Sequence, residues 1–272
     1  MVVPGDTDKF PHTIGVLARR YPTLGRWLDG GEEAAFGVIA TRVRGRAVLD
    51  VGIGPGRTTS LLRLLTDDYV GLDYMPTMVE RARRSHPDRN LSEGDARDLS
   101  RFEDGRFDLV LFSYNGIDWV SHDDRPVVLR EFHRVLRNDG VLVFSTLNKD
   151  GPYYREPPWR AATAGLAGRT PLQRAGRVLG RVVAHAPDHV RRWVAWWKLR
   201  NTIDDHGEWA LGPLAGPGEG LVVHWTTVPA ACAEIDAAGF AVTDVFGVDG
   251  DPLDPGRTNT ETPYFHLVAT KR

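Results

Sequence analysis

The stretch Val48-Leu49-Asp50-Val51-Gly52-Ile53-Gly54-Pro55-Gly56-Arg57-Thr58-Thr59 decides the fold. It begins in an apolar, β-branched run, Ala47 to Val51, of the kind a buried strand requires. Three glycines at alternate positions end that run, and Thr58-Thr59-Ser60-Leu61-Leu62 continues with helical character. The pattern predicts strand, tight turn and then a helix over about Arg57–Leu65. Glycine suits a turn this sharp, and a backbone that must lie against a ligand. A dinucleotide fingerprint, G-x-G-x-x-G, beginning at Gly52 requires a glycine at position 57, where Arg57 stands. The third glycine comes one residue early, at Gly56, and the acid Asp50 lies near the strand's end.

Downstream, Tyr69-Val70-Gly71-Leu72-Asp73 is a second short apolar strand ending in an acid. A helix follows from Pro76 to about Arg84, with proline in the first turn, where its missing N–H costs nothing. Asp73 lies 19 residues after Gly54, about the interval at which nucleotide-binding α/β folds place a carboxylate for ribose hydroxyls. A third strand leads into Gly94-Asp95-Ala96. Phe107–Phe112 is a fourth, followed at its carboxyl edge by Ser113-Tyr114-Asn115-Gly116-Ile117-Asp118. Arg130 to Thr146 then reads as a helix ending near Gly140 and a fifth strand. After residue 226 the same grammar returns, as a helix over Thr227–Ala238 and strands at Phe240–Phe246 and Tyr264–Ala269.

The acid-x-Gly-x-Gly-x-Gly of Asp50–Gly56, the Gly94-Asp95-Ala96 turn and the Arg134-Val135-Leu136 to Gly140 segment occur in the order of a known set. Over about residues 45–148 the chain resembles the class I S-adenosylmethionine (SAM) dependent methyltransferases of small-molecule type. The resemblance implies a Rossmann-like, doubly wound α/β sheet of seven strands, six parallel and the last antiparallel. It also implies SAM as cofactor and S-adenosylhomocysteine as product. On it, Gly52, Gly54 and Gly56 approach the methionine moiety. Asp50 either organises that loop or meets the amino group. Asp73 takes the ribose, with Tyr74 and Ser113 beside the cofactor, and Met75 packs on the adenine face. Asp95 accepts from the adenine amino group, and the Ala96 N–H faces a ring nitrogen.

The segment after the fourth strand lines the methyl-transfer site in this fold, so Tyr114 and Asn115 are the candidate catalytic groups there. Amide and nucleobase N-methyltransferases carry [DN]-P-P-[YF] at this point. Ser113-Tyr114-Asn115-Gly116 has no proline, which argues against such substrates. Catechol-type enzymes hold Mg²⁺ with an acid here and an Asp-Asn pair beyond. Asn148-Lys149-Asp150 is not that pair, so no metal is expected. Asp118, Tyr153 and Tyr154 are candidates on the acceptor side. His224 is either a catalytic pocket residue or a histidine bonded to a nearby carbonyl. His133 reads as surface structure.

The expected organisation is an N-terminal helical lid at 1–45, a SAM-binding core at 46–148, a cap insertion at 149–226 and the rest of the core sheet at 227–272. Within the lid Glu32–Val43 is amphipathic and packs on the sheet, and Tyr21 is a candidate to close over the substrate. The cap opens on the breakers Gly151-Pro152 and Pro157-Pro158. It continues as helical runs near 171–184 and 188–199 and a hairpin or loop over Gly207–Trp225. Between Arg155 and Arg200 ten Lys/Arg face two acids, a local charge of +8 in a chain whose total is −2. Val190, Trp193, Val194 and Trp197 share a helical face. That face either docks on the core, roofs an aromatic or apolar substrate, or meets an anionic partner such as a phospholipid. An overall negative charge and no RNA-binding module argue against nucleic acid.

One cysteine, Cys232, excludes an internal disulfide framework. No apolar run approaches the roughly 20 residues needed to span a bilayer, and Met1 to Asp6 lack the character of a signal peptide. The cytoplasm is the expected compartment. The expected function is methyl transfer from SAM to a small molecule, an aromatic or apolar specialised metabolite in biosynthesis. Two alternatives stand beside it: a phosphate-bearing or lipid acceptor at an anionic surface, and a SAM-binding protein that does not methylate.

Overall fold

A computed structural model describes residues 28–154, 203–214 and 222–272, together with Val194 and Trp197. Along the chain these form α1 (Gly30–Val43), β1 (Val48–Val51), α2 (Thr59–Leu62), β2 (Tyr69–Asp73), α3 (Pro76–Ser85), β3 (Asn90–Glu93) and β4 (Phe107–Phe112). A 3₁₀ turn (Gly116–Trp119), α4 (Arg125–Val135) and β5 (Leu136–Leu147) come next. Three short strands, β6 (Asp204–Asp205), β7 (Trp209–Pro213) and β8 (Val222–Thr226), precede α5 (Val228–Ala237), β9 (Phe240–Gly247) and β10 (Tyr264–Lys271).

Seven strands form one sheet in the order β3-β2-β1-β4-β5-β10-β9. β10 runs antiparallel to both β5 and β9, so six strands are parallel and the last in sequence is reversed, as expected. Parallel strands are covered on both faces and read as continuous apolar runs. β1 and β2 are buried throughout their length. On one face α4 and α5 supply Val128, Leu129, Phe132, Ala231 and Ile235, packed on Leu49 and Phe112. On the other α1 and α3 supply Ala35, Phe36, Ile39, Val79 and Ala82, packed on Val48 and Leu109. Strand order reverses between β1 and β4, and the crevice beyond the carboxyl ends of such strands is where this architecture binds ligands.

Local chemistry fixes the helix ends. The Asp29 carboxylate accepts from the Glu32 N–H at 2.8 Å and caps α1, whose first turn holds Glu32 and Glu33, the sign that the helix dipole favours. Thr227 caps α5 in the same way through Ala230. Two boundaries differ from the sequence reading. The helix expected over Arg57–Leu65 is confined to Thr59–Leu62, because Leu64 and Leu65 donate to Leu61 and Leu62, three residues back, and tighten the chain out of α geometry. The helix expected to end near Gly140 stops at Val135. Leu136, fully buried and paired with Phe107, already begins β5, and Asp139 at φ 61° supplies the bend.

In the region expected as a cap, β6, β7 and β8 form a small antiparallel sheet, and the antiparallel pair β7–β8 falls where a hairpin or loop was expected over Gly207–Trp225. The runs near 171–184 and 188–199, Trp193, Tyr21 and the lid before residue 28 lie outside the described residues. Val194 and Trp197 are helical and exposed, at 38% and 51%. No helix among the described residues is long and apolar enough to cross a membrane.

Candidate active site

The loop after β1 places Gly52, Gly54 and Gly56 at φ 66°, 55° and 92°, the left-handed region that favours glycine. A side chain on Gly52 would strike the Phe112 ring at 2.8 Å, and one on Gly56 the His86 ring at the same distance. Gly54 faces open space, with nothing within 4 Å of a Cβ built there. The loop is thus packed from behind at its two ends and open at its centre. His86, 7% exposed, supports it further through Nε2, 3.1 Å from the Gly56 carbonyl. Asp50 lies beneath, 1% exposed, with Oδ2 accepting from the Thr58 and Tyr69 hydroxyls at 2.7 and 2.8 Å. Burial pushes its carboxyl up to about 7.

Asp73 ends β2 with one carboxylate oxygen accepting from the Gly54 N–H and the other from the Met75 N–H, both at 2.8 Å. A carboxylate offers about four lone-pair sites. Two remain after these backbone bonds, one on each oxygen, which matches a vicinal diol. Burial holds the Asp73 carboxyl above its ordinary range, against the two N–H bonds. Met75 is buried, Tyr74 is 44% exposed, and Ala96 is partly buried on the core. Asp95 accepts from Arg97 through the backbone N–H and through the guanidinium. Against the cost of partial burial, those bonds hold its carboxyl below the usual range.

On the far side of β4, Tyr114 and Asn115 both take left-handed backbone, at φ 55° and 61°. Residues other than glycine held there carry strain that gathers at functional sites. The Asn115 N–H donates to the Ser145 hydroxyl at 2.8 Å, and Asn115 Oδ1 is buried with no hydrogen-bond partner among the described residues. The Tyr114 ring meets the Tyr264 ring edge-on at 6.4 Å, and the Arg57 guanidinium lies 5.2 Å from its centroid.

A buried polar group that the sequence reading missed stands behind this loop. Arg57 donates to both Glu32 oxygens at 2.6 and 2.5 Å and to the Ser113 hydroxyl at 2.5 Å, and that hydroxyl donates to Glu32. One turn earlier Asp29 accepts from the Tyr264 hydroxyl at 2.8 Å and lies 3.0 Å from His266 Nε2. Despite burial, His266 holds the Asp29 carboxyl below its ordinary value, whereas burial and Asp29 raise the Tyr264 phenol. In the sequence Glu32 stands only as part of a packing helix, and Asp29 carries no signal of its own. The available sign was three acids, Asp29, Glu32 and Glu33, at the start of an otherwise apolar helix.

Two expected site residues lie elsewhere. Asp118 does not face a ligand: it is fully buried, and its carboxylate accepts from Arg125, the Thr146 hydroxyl and the Leu147 N–H at 3.2, 2.5 and 2.7 Å. Its donors tie the 3₁₀ turn to the end of β5, which corrects its placement on the acceptor side. His224, 1% exposed, meets not a carbonyl but another imidazole, His122 Nδ1, 3.0 Å from its Nε2. The His122 ring stacks on Trp209 at 3.6 Å, which stacks on His206 at 3.9 Å. Burial, then nearby Arg125, pushes His224 well below its ordinary range and keeps the ring neutral. Tyr154 donates its hydroxyl to Asp205 and packs on Trp225.

The comparisons with known proteins agree with this geometry. The family model described as "Methyltransferase domain" matches residues 49–144. Trans-aconitate 2-methyltransferase from Azoarcus sp. is 30% identical over 82% of this chain and 87% of its own length. The chain belongs to the SAM-dependent methyltransferases. The malonyl-[acyl-carrier protein] O-methyltransferase of Erwinia billingiae, a further methyltransferase relative, is 34% identical over 48% of this chain, and the match spans only 49% of that enzyme. Among solved structures, the Burkholderia thailandensis 1,6-didemethyltoxoflavin-N1-methyltransferase with bound S-adenosylhomocysteine shares the methyltransferase fold. Its TM-score is 0.53 at 16% identity, over 96% of this chain and 90% of that one.

Proposed function

We propose that this methyltransferase transfers the methyl group of SAM to a small-molecule acceptor with an aromatic or apolar body. The observation that carries the acceptor is an aromatic edge beyond the end of β5, where Tyr114, Trp119 and Tyr154 stand partly exposed over a buried apolar cluster. Leu147, Val223, Trp225 and Tyr264 are buried together, and Trp119, Tyr154, Leu214 and Val248 pack partly exposed around them. Tyr114, 37% exposed, stands against Tyr264 at the same edge. Such surfaces bind flat apolar bodies through area and ring geometry. The relatives' names differ in acceptor, between a carrier-bound malonyl group and trans-aconitate. The family alone therefore leaves the acceptor open, and the aromatic edge is what supports an aromatic or apolar one.

On the cofactor side, the open backbone at Gly54 admits the methionine end, Asp73 keeps two lone pairs for the ribose hydroxyls, and Asp95 with Ala96 faces adenine. Met75 and Tyr74 flank the base, and Ser113 stands between the loops. SAM supplies, when bound, a methyl group already activated by its positive sulfur. The protein's own task is alignment, which can lower a barrier by about 7–11 kcal/mol. Tyr114 and Asn115, locked by Tyr264 and Ser145, orient the acceptor. A base is needed only for a nucleophile that arrives protonated.

The test is incubation of the protein and isotopically labelled SAM with fractionated small-molecule extracts, followed by mass spectrometry. Products heavier by one labelled methyl, on aromatic or apolar compounds, are expected. SAM bound by calorimetry with no methylated product from any fraction would support a binding protein that does not methylate. Products confined to lipid or phosphorylated fractions would move the acceptor to the anionic class.

A further inference from the structure

The cofactor reading above gives Asp95 the adenine amino group, and the present inference rests on that reading. Asp95 lies two residues past the end of β3, and Gly94 between them donates its N–H to the Asp73 carbonyl at 3.1 Å. Asp95 is not a free carboxylate. The Arg97 backbone N–H reaches Oδ1 at 2.9 Å, Nε is shared between Oδ1 and Oδ2 at 3.1 Å each, and Nη2 reaches Oδ2 at 2.7 Å. Three N–H groups thus make four contacts, two on each oxygen, and the split Nε contact at 3.1 Å only half fills its two positions, so three donors stand on about four lone-pair sites. One acceptor position is left.

Arg97 is itself held from the other side. Its Nη1 donates to Asp124 Oδ2 at 3.0 Å, at the residue before α4. Arg97 and Asp95 are each 30% exposed, so the clamp sits at the mouth of the site, where a ligand can reach it. The terminal torsion of an aspartate is soft, with a broad and nearly two-fold profile. A planar, two-pronged guanidinium removes that freedom, and a lysine ammonium cannot.

We propose that Arg97 is a positioning residue for base recognition. It fixes the Asp95 carboxylate so that its single remaining lone pair meets an exocyclic amino group, and so sets a preference for adenine over a 6-oxopurine. An amino group donates to that position. A ring carbonyl there brings an oxygen to an oxygen and leaves an ionised acceptor without its bond, a loss of about ten- to a hundredfold in affinity.

Calorimetric titration of S-adenosylhomocysteine and of its deaminated analogue, S-inosylhomocysteine, tests this without a methyl acceptor. The proteins are wild type, Asp95→Asn, Arg97→Gln, Arg97→Lys and Asp124→Asn. Wild type should prefer the adenosyl ligand at least about tenfold. In Arg97→Gln that ratio should fall severalfold, mainly through loss of adenosyl affinity. The part left is what the Ala96 N–H supplies by facing N1, an acceptor in adenine and a donor in a 6-oxopurine. Arg97→Lys keeps the charge and should still lose most of the ratio, and Asp124→Asn should lose less. A ratio unchanged in Arg97→Gln, with both ligands weakened equally or not at all, makes Arg97 structural and overturns the proposal. The Asp95→Asn arm separates the two levels. If that variant keeps the wild-type ratio, the assignment of Asp95 to adenine fails, and the proposal with it. If it loses the ratio while Arg97→Gln keeps it, only the proposal fails. Thermal melts of the ligand-free variants confirm that each is folded.

Discussion

Truncating Glu32 to alanine takes a carboxylate away from Arg57 at a place where both side chains are under a tenth exposed, at 3% and 8%. Two hydrogen bonds of 2.6 and 2.5 Å from the guanidinium disappear with it, as does the one donated by the Ser113 hydroxyl. Breaking a buried pair by removing one partner costs about 3–5 kcal/mol, because the other is left desolvated without its counter-charge. Loss of a first-turn acid adds about 0.3–1 kcal/mol from the helix dipole. At roughly 2 °C per kcal/mol for a chain of this size, the melting temperature should fall by about 7–12 °C. The double variant Glu32→Met/Arg57→Met should recover most of this, since an apolar pair of similar bulk is close to neutral in such a site. Scanning fluorimetry and urea unfolding of wild type, Glu32→Met, Arg57→Met and the double variant give the coupling energy, expected at about 2 kcal/mol or more. A single truncation below about 1 kcal/mol, or a cycle that is simply additive, would show that water reaches the pair and that α1 is not fastened to the glycine loop through it.

Three further outcomes follow from the cofactor side. Asp73→Ala removes two acceptor sites, and charge-assisted bonds of about 1.5–3 kcal/mol each predict a two to four order-of-magnitude loss of SAM affinity by calorimetry; a loss under tenfold would remove Asp73 from the site. Gly54→Ala meets no atom within 4 Å, so only the left-handed backbone penalty of about 1–2 kcal/mol should appear in the melt. The same methyl intrudes on the ligand side, so SAM binding should fall more than tenfold, and equal binding would place the cofactor elsewhere. Asp50→Asn tests pH linkage. The folded-state pKa of Asp50 is raised to about 7 by burial, so its protonated form is favoured in the fold, and stability falls as pH rises from about 4 to 7. The stability of the Asn variant relative to wild type should therefore rise across that window, and parallel curves would refute the assignment.

Much of the fold was legible because its signals are local. β2 and β4 fall on the residues expected, since a run such as Phe107–Phe112, buried on both faces, has one reading. The acids at 73 and 95 stood out because strand ends at a carboxyl edge are set by chain order. Boundaries such as that of α4 were not legible, because Leu136 is drawn into the sheet by its pairing with Phe107. The side-chain network was hidden for a related reason. Glu32 meets Ser113 across 81 residues and Asp29 meets Tyr264 across 235, and no periodicity links such positions. In the sequence Arg57 marks only the place of a missing glycine. Asp118 misled because an acid after β4 is the residue type a substrate site uses, while Arg125, seven residues on, claims it for the core.

The excursion between β5 and α5 leaves and returns through one clasp. Asn148 bridges Thr226, the Lys149 N–H donates to the Thr226 carbonyl at 3.0 Å, and the Lys149 ammonium meets Asp205 at 2.9 Å. With its two ends held side by side, closing the intervening chain costs an entropy that grows only as the logarithm of its length, about 0.6 kcal/mol per doubling. The segment is in this sense a cassette. A graft that keeps Asn148, Lys149, Asp205 and Thr226, with Val223 and Trp225 still packed on Leu147 and Tyr264, should leave the glycine loop and its carboxylates in place, which makes the clasp the natural splice point for giving the scaffold a different methyl acceptor.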